Sequence, residues 1–400
     1  MGMTAALTLT QSNTRVLLLS PKPKHVPPMP ITLRFDQRDF LQSLEVWQDL
    51  ESKTRAIDTL IFGLMASDRT PTIHAPEWGD RPLAYTMSMN TLYKKLHKVV
   101  IDHPSIEVIE KEVHDLSPIW EKKTMPVWSI QTSDATFHAQ RVLLAEGAQR
   151  TLAQRLGLGA NAHALCFESS VFQVKQALSQ QANQAMQYVA SDVVIGLIPD
   201  SQSDKHWLIA TYSDTGSWKK IPDAEKKDRI SELFLQKGMV VSYANDFVFR
   251  KTSGLSYQAT SMLPGLLCVG QGRVSLPPLG AQGLNRAWDE LKYLLAMQQR
   301  FPWHIADDMD WQKHVQSRWD AEMRPWYRLL SHVMPYMAEE QQAWMMQASG
   351  VLWDAAFYLG VQKRLLMFYG GILPHQGQVA TGIGARCAEL ADMVSRRWCV

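Results

Sequence analysis

Cysteine is scarce in this sequence. Cys166, Cys268, Cys387 and Cys399 are the four among 400 residues, and they lie far apart. No paired spacing for zinc exists and no disulfide framework can be drawn, so a reducing compartment is the simplest expectation. An excess of one charge is also lacking: 41 Lys and Arg face 39 Asp and Glu, scattered among one another, for a formal net charge of +2. Nucleic-acid binding would want a basic stripe with interleaved aromatics, so no such partner is expected. No uninterrupted apolar run reaches about 18 residues, so no transmembrane span is expected. The opening MGMTAALTLTQSNTRVLLLS has no charged region ahead of its apolar part and does not read as a signal peptide. Ala6 stands where a myristoylation signal needs a hydroxyl residue. No repeat of fixed period runs through the chain. These absences leave a soluble, cytoplasmic protein as the expectation, with peripheral membrane contact left open.

What is present is globular. The chain is 46% hydrophobic and 20% charged, which excludes disorder on composition and suffices for two or three cored domains. Thr4 to Gln11 reads as a helix and Arg15 to Leu19 as a strand. Lys22 to Pro30 is a loop because four prolines remove donors there. Helical spacing of Phe40, Leu41, Leu44, Val46, Trp47 and Leu50 predicts one helix over DQRDFLQSLEVWQDLESK. IDTLIFGLMAS reads as one strand, and Leu92, Leu96 and Val99 place a helix over Asn90 to Val100. SIEVIE, MPVWSIQ and TFHAQRVLLA suggest strands in a meander. From Cys166 to Phe249, strand-like runs around a helix at Ala224 to Lys237 predict an antiparallel sheet domain. Beyond Trp288 the pattern is helical and rich in Trp and Met. Core packing is the ordinary reading of that stripe, and an apolar ligand, membrane or partner surface is the sharper one.

Three stretches carry glycines at junctions between strands and helices. GMTAALTLTQSNTRVLLLSP opens a helix at Gly2 and ends its strand at Ser20. LLAEGAQRTLAQRLGL follows a strand with Glu146 and Gly147. LCVGQGRVSLPPLGAQGLN, from Leu267 to Asn285, ends a strand at Gly270, crosses two prolines and opens a helix near Gln282 and Gly283. A helix start of this kind presents unpaired N–H groups and the positive end of its dipole to whatever lies before it.

In this order the three resemble the FAD-dependent aromatic-ring hydroxylases of the p-hydroxybenzoate hydroxylase type, nearest the ubiquinone-biosynthesis branch, over roughly residues 2 to 300. The resemblance implies an α/β (α+β) fold: a Rossmann-like FAD-binding domain with an inserted antiparallel β-sheet substrate domain and a C-terminal helical region. The implied domains are 1–160 and 261–300 for FAD, 161–260 with β segments from 57–90 for substrate, and 301–400 for the helical Trp- and Met-rich region. FAD is the implied cofactor, NAD(P)H the electron donor and a small phenolic ring, bare or prenylated, the substrate. The implied cofactor-binding residues are Gly2, Glu146, Gly147, Gly270, Gln271, Pro278, Gln282, Gly283 and Asn285. No catalytic residue or metal ligand is implied.

The stretches also depart from the family pattern. Gly2 would be the last glycine of the dinucleotide fingerprint, so the first strand, normally central, is missing and the sheet should be split. Ser20 stands for the acid on the adenosine ribose. Arg150, Gln271 and Ala281 replace a serine, an aspartate and a glycine, and Met29 stands where the family has a flavin-contacting arginine. Arg273 replaces an alanine, either to meet a phosphate or as a surface residue. Two readings follow. The chain is an active flavin monooxygenase, supplied with electrons directly or by a partner reductase as in relatives of styrene monooxygenase. Alternatively it is a lapsed member of the fold that serves as a binding or assembly partner. No other chemistry competes. His74 and Glu77 lie in a Pro-containing loop without a second histidine, Asp307, Asp308 and Asp310 read as a helix start, and Ser169 and Ser170 lack a nucleophile elbow.

Overall fold

The parallel part of the fold is in two pieces. A computed structural model describes residues 1–333, except 22–25, 27–28, 68–69, 78, 80, 121–124, 148–149, 159–160, 176–181, 191, 215, 258–262, 277–281 and 304–307. In chain order the elements are α1 (Gly2–Thr10), β1 (Val16–Leu19), β2 (Pro30–Arg34), α2 (Phe35–Ser43), β3 (Arg55–Ile57), β4 (Thr59–Leu64), β5 (Thr72–His74), β6 (Ala84–Ser88), α3 (Met89–Ile101) and β7 (Ile106–Ile109). Then come β8 (Val113–Ile119), β9 (Val127–Thr132), β10 (Thr136–Ala139), β11 (Val142–Leu144), α4 (Thr151–Arg155), β12 (Asn161–Lys175), β13 (Gln184–Val189), β14 (Val193–Pro199) and β15 (His206–Ser213). The described chain ends with α5 (Ser217–Lys220), α6 (Asp223–Gln236), β16 (Ser242–Tyr257), β17 (Leu266–Cys268), β18 (Val274–Ser275), α7 (Gln282–Arg300) and α8 (Asp308–Val333).

Strand β1 pairs in parallel with β7, and β11 with β17, as two separate two-stranded sheets. The sequence predicts a divided parallel sheet, and these two pairs are its pieces. Gly2 lies where the two pieces approach: a Cβ on it would be 3.5 Å from Leu18 Cδ1 and 4.0 Å from Ala145 Cβ. The small residues that follow, Thr4, Ala5 and Ala6, are buried, and Thr8 returns its hydroxyl to the Thr4 carbonyl at 2.9 Å.

The antiparallel part is an eight-stranded sheet of order β18-β16-β12-β15-β14-β13-β4-β5, in which only β13 and β4 run parallel. Helix α6 covers it, burying Ile230 and Phe234 with Phe172, Leu208 and Tyr212. A smaller antiparallel sheet, β2-β6-β3, packs Ile57 and Ala84 with Ala185 of β13 and Ile31, Leu33 and Met87 into the helical core. A second core gathers α1, α2, α3, α7 and α8 around Leu7, Leu41, Trp47, Leu96, Trp288 and Trp319.

Local expectations changed where distant partners intervened. The helix over residues 36–53 stops at Ser43. Glu45 takes φ +60°, the Val46 N–H reaches back to the Leu41 carbonyl at 2.9 Å, and Val46, Trp47 and Leu50 turn into the core. IDTLIFGLMAS is two strands in two sheets, because the chain crosses over at Asp58, whose backbone and side chain both bond Asn183. The meander is β8-β9-β10 alone, and the flanking runs join the parallel pairs.

Trp288, Trp303, Trp311 and Trp319 are all buried, and Trp303 stacks on Trp311 with centroids 5.3 Å apart. At about 25 cal/mol per Å2 and roughly 200 Å2 each, such burial gives roughly 5 kcal/mol per ring before ordering costs. These rings make core and not a ligand surface. The Trp326 side chain and Trp344, Trp353 and Trp398 lie outside the described side chains. Among the described residues no helix is long and apolar enough to cross a membrane.

Candidate functional site

The stretch after β17 forms a tight 3-10 turn over Gly270–Gly272. Gly270 has φ +64°, which favours glycine, and a Cβ there would lie tightly, 3.0 Å from Met1 Cγ. Gly272 backs onto the second motif: a Cβ on it would meet the Gly147 carbonyl oxygen at 3.6 Å and Glu146 Cγ at 3.9 Å. Gly2, Gly147 and Gly270 therefore belong to one neighbourhood, linked through Met1, Ala145 and Glu146.

Side chains of the second motif are turned inward. The Glu146 carboxylate accepts the N–H groups of Leu152 and Ala153, both at 2.8 Å, and so caps α4. Arg150, held at φ +55° and buried, donates from Nε to the Gly272 carbonyl at 2.7 Å and from Nη2 to the Leu158 carbonyl at 3.2 Å. Burial lowers its pKa below the ordinary arginine value.

Beneath the turn lies an ionic triad that the sequence reading missed. Arg273 donates from Nη1 to Glu290 Oε1 at 2.7 Å and from Nη2 to Asp320 Oδ1 at 2.9 Å, with its guanidinium 5.1 Å from the Trp319 ring centre. The other Glu290 oxygen accepts the Gly270 N–H at 3.0 Å. All three side chains are buried, so Arg273 is neither on the surface nor spent on a phosphate. Burial pushes the Glu290 carboxyl above the usual range, against the pull of Arg273 and the Gly270 N–H.

Helix α7 begins at Gln282, which is buried, and a Cβ on Gly283 would meet nothing within 4 Å. Asn285 Oδ1 accepts the Arg34 N–H at 3.0 Å and its Nδ2 donates to the Thr32 carbonyl at 2.9 Å, which ties α7 to β2. The Arg34 guanidinium, also buried, bonds Asp36 at 2.9 Å and Asp289. Burial alone would raise the Asp36 carboxyl, but Arg34 and Lys292 outweigh it and hold it at about 2. Gln271 is half-buried on the turn. Pro278 and Ala281 lie outside the described residues, and Met29 offers its carbonyl to the Met89 N–H.

Other candidates dissolve into structure. His74 Nδ1 bonds the Thr59 hydroxyl at 3.2 Å, and no metal-binding group of three ligands occurs among the described residues. Ser169 and Ser170 are buried cross-strand partners of Thr211 and Tyr212. Ser20 is exposed and returns its hydroxyl to the Pro21 carbonyl.

No protein-family model and no curated protein matches this sequence. Solved structures do match it. A flavin-dependent brominase superposes with a TM-score of 0.72 at 14% identity, covering 98% of this chain and 96% of its own. The p-nitrophenol 4-monooxygenase of Pseudomonas putida gives 0.67 at 13% identity, over 94% and 96%. An aklavinone-11 hydroxylase, in a ternary complex with FAD and aklavinone, gives 0.55 at 14% identity, over 74% and 61%. The fold is that of the flavin-dependent monooxygenases and halogenases. Within it, the features available to a flavin at the α7 end are the open space at Gly283 and the half-buried Gln271 amide on the turn. The adenosine end offers less, since Ser20 supplies no acid. The one sequence signal for Glu290 is its place on α7, next to Asp289 and one turn beyond Asn285 and Arg286, on a face too apolar to leave a charge unpaired.

Proposed function

We propose that this chain is a flavin-dependent monooxygenase acting on a small aromatic ring, with FAD held between the Gly270–Gly272 turn and the start of α7. The observation that carries the reading is this pair of backbone features within a flavin-monooxygenase fold: a turn whose left-handed Gly270 favours glycine, and a helix start with free space at Gly283. FAD, when bound, supplies electron transfer and oxygen activation. The chain supplies the rest. The N-terminus of α7 favours negative charge on the bound ring. Gln271 can bond a hydroxyl of the ribityl chain. Asn285 and Arg34 hold α7 against β2, and the eight-stranded sheet provides the wall against which a substrate ring can lie.

On this reading residues 1–160 and 261–300 form the cofactor-binding part, 161–260 with the β segments of 57–90 the substrate part, and 301–400 a helical support. The resemblance of the motifs to the ubiquinone-biosynthesis hydroxylases favours a phenolic substrate, bare or prenylated. Electrons come from NAD(P)H or from reduced flavin delivered by a partner reductase. A lapsed fold acting as an assembly partner is the second reading. It is favoured by the Glu146, Arg150 and Arg273 side chains, all bonded within the protein.

The visible spectrum of the purified protein, with and without added FAD, separates the two. A bound, perturbed flavin band is expected. A colourless protein that FAD does not titrate would sink the monooxygenase reading and leave the lapsed one.

A further inference from the structure

Helix α8 reaches the candidate flavin turn through a continuous chain of buried polar contacts. Asp320, on α8, accepts from Arg273 at 2.9 Å; Arg273 donates to Glu290 at 2.7 Å; and Glu290 accepts the N–H of Gly270 at 3.0 Å. Each link is a charge-assisted hydrogen bond in a site with little water, where such bonds are strong and misplacement is costly. The two carboxylates lie on different helices, and one planar guanidinium spans them, which a lysine could not do. The Trp319 ring sits against the guanidinium, and its Nε1 donates to the Glu290 carbonyl at 3.2 Å. Gln312, two turns earlier on α8, donates to the Leu266 carbonyl at 3.1 Å, just ahead of the turn. Gly270 and Gly272 bring no side chains of their own to anchor the turn, which is otherwise held by Arg150, whose Nε donates to the Gly272 carbonyl at 2.7 Å.

We propose that Asp320 and Arg273 are positioning residues through which α8 sets the conformation of the Gly270–Gly272 turn. The consequence for cofactor affinity and potential rests on the flavin-binding reading of that turn. A shift of α8 moves the fork, the fork moves Glu290, and Glu290 moves the Gly270 amide. The helical region is in this way part of the binding site without touching a ligand.

Two arms test this on the full chain. In the first, without FAD, hydrogen exchange is compared between wild type and Asp320→Asn. The amides of residues 270–273 should exchange at least about tenfold faster, while those of β14 and β15 keep their wild-type rates. Unchanged protection at the turn, or equal acceleration in every element, overturns the proposal. In the second arm, FAD should bind the variant about tenfold more weakly. Its midpoint potential should move positive, because one nearby negative charge has gone. Wild-type affinity and potential in the variant overturn the proposal as well. A wild-type protein that takes up no FAD defeats the proposed function, and the exchange arm alone then decides the inference. Should Asp320→Asn not fold, Arg273→Lys serves: it keeps the charge, loses the fork, and should show the same turn-specific loss of protection.

Discussion

The carboxamide of Asn285 bonds β2 as a neighbouring strand would, accepting the Arg34 N–H at 3.0 Å and donating to the Thr32 carbonyl at 2.9 Å. One side chain on α7 thus completes the edge of the β2-β6-β3 sheet. Asn285→Ala leaves both backbone groups without their partner in a buried place. A loss of roughly 2–4 kcal/mol is expected, read as a lower urea midpoint at unchanged slope. A stability within 0.5 kcal/mol of wild type, about the reach of a surface change, would show that the clamp contributes nothing.

Glu146 is a helix cap by geometry. Glu146→Ala should cost about 1–2 kcal/mol in thermal unfolding, because Leu152 and Ala153 lose their acceptor, and Glu146→Gln should fall between. An alanine variant as stable as wild type would mean that α4 caps itself by other means.

Tyr212 lies at the centre of a buried network under α6. Its hydroxyl donates to Glu168 at 2.7 Å, accepts from Lys226 at 2.8 Å, and lies 2.7 Å from the Ser170 hydroxyl. Tyr212→Phe should destabilise by roughly 1–3 kcal/mol, since Glu168 and Lys226 each lose a buried hydrogen bond and keep their contacts to Lys219 and Asp223. Combined with Lys226→Met, the cost should be less than the sum by about 1 kcal/mol or more. Strict additivity would show that the two residues act independently.

His206 sets an acid limit. It is 1% exposed, neither ring nitrogen has a hydrogen-bond partner among the described residues, and burial, with Arg55 adding to it and Asp200 opposing, pushes its pKa from 6.5 down to about 4. The neutral form is the folded form. Below pH 6.5 the unfolded chain gains a proton that the folded chain refuses until about pH 4. Stability should therefore fall between those values by up to roughly 3 kcal/mol. His206→Leu should flatten this part of the pH profile, as followed by urea unfolding at several pH values. An identical decline in the variant would assign the acid loss to other groups.

Much of this protein was legible locally. Glycines at the strand and helix junctions pointed to the fold, since a glycine can be required by one turn's own backbone, as Gly270 is at φ +64°. The helices of 89–101 and 223–236 followed from the period of their apolar faces. Tertiary structure alone decided the rest. The run at 36–53 has helical spacing throughout, yet Trp47 and Leu50 bury better once the chain turns at Glu45. The run at 106–109 pairs with β1, ninety residues earlier, and not with its neighbours. Arg273 looked like a surface charge or a phosphate ligand because its partners, Glu290 and Asp320, are 17 and 47 residues away. Turns and periods depend on neighbours in the chain, which a sequence displays in order. A buried charge depends on which distant groups come to share its cavity, and only the packed structure determines that.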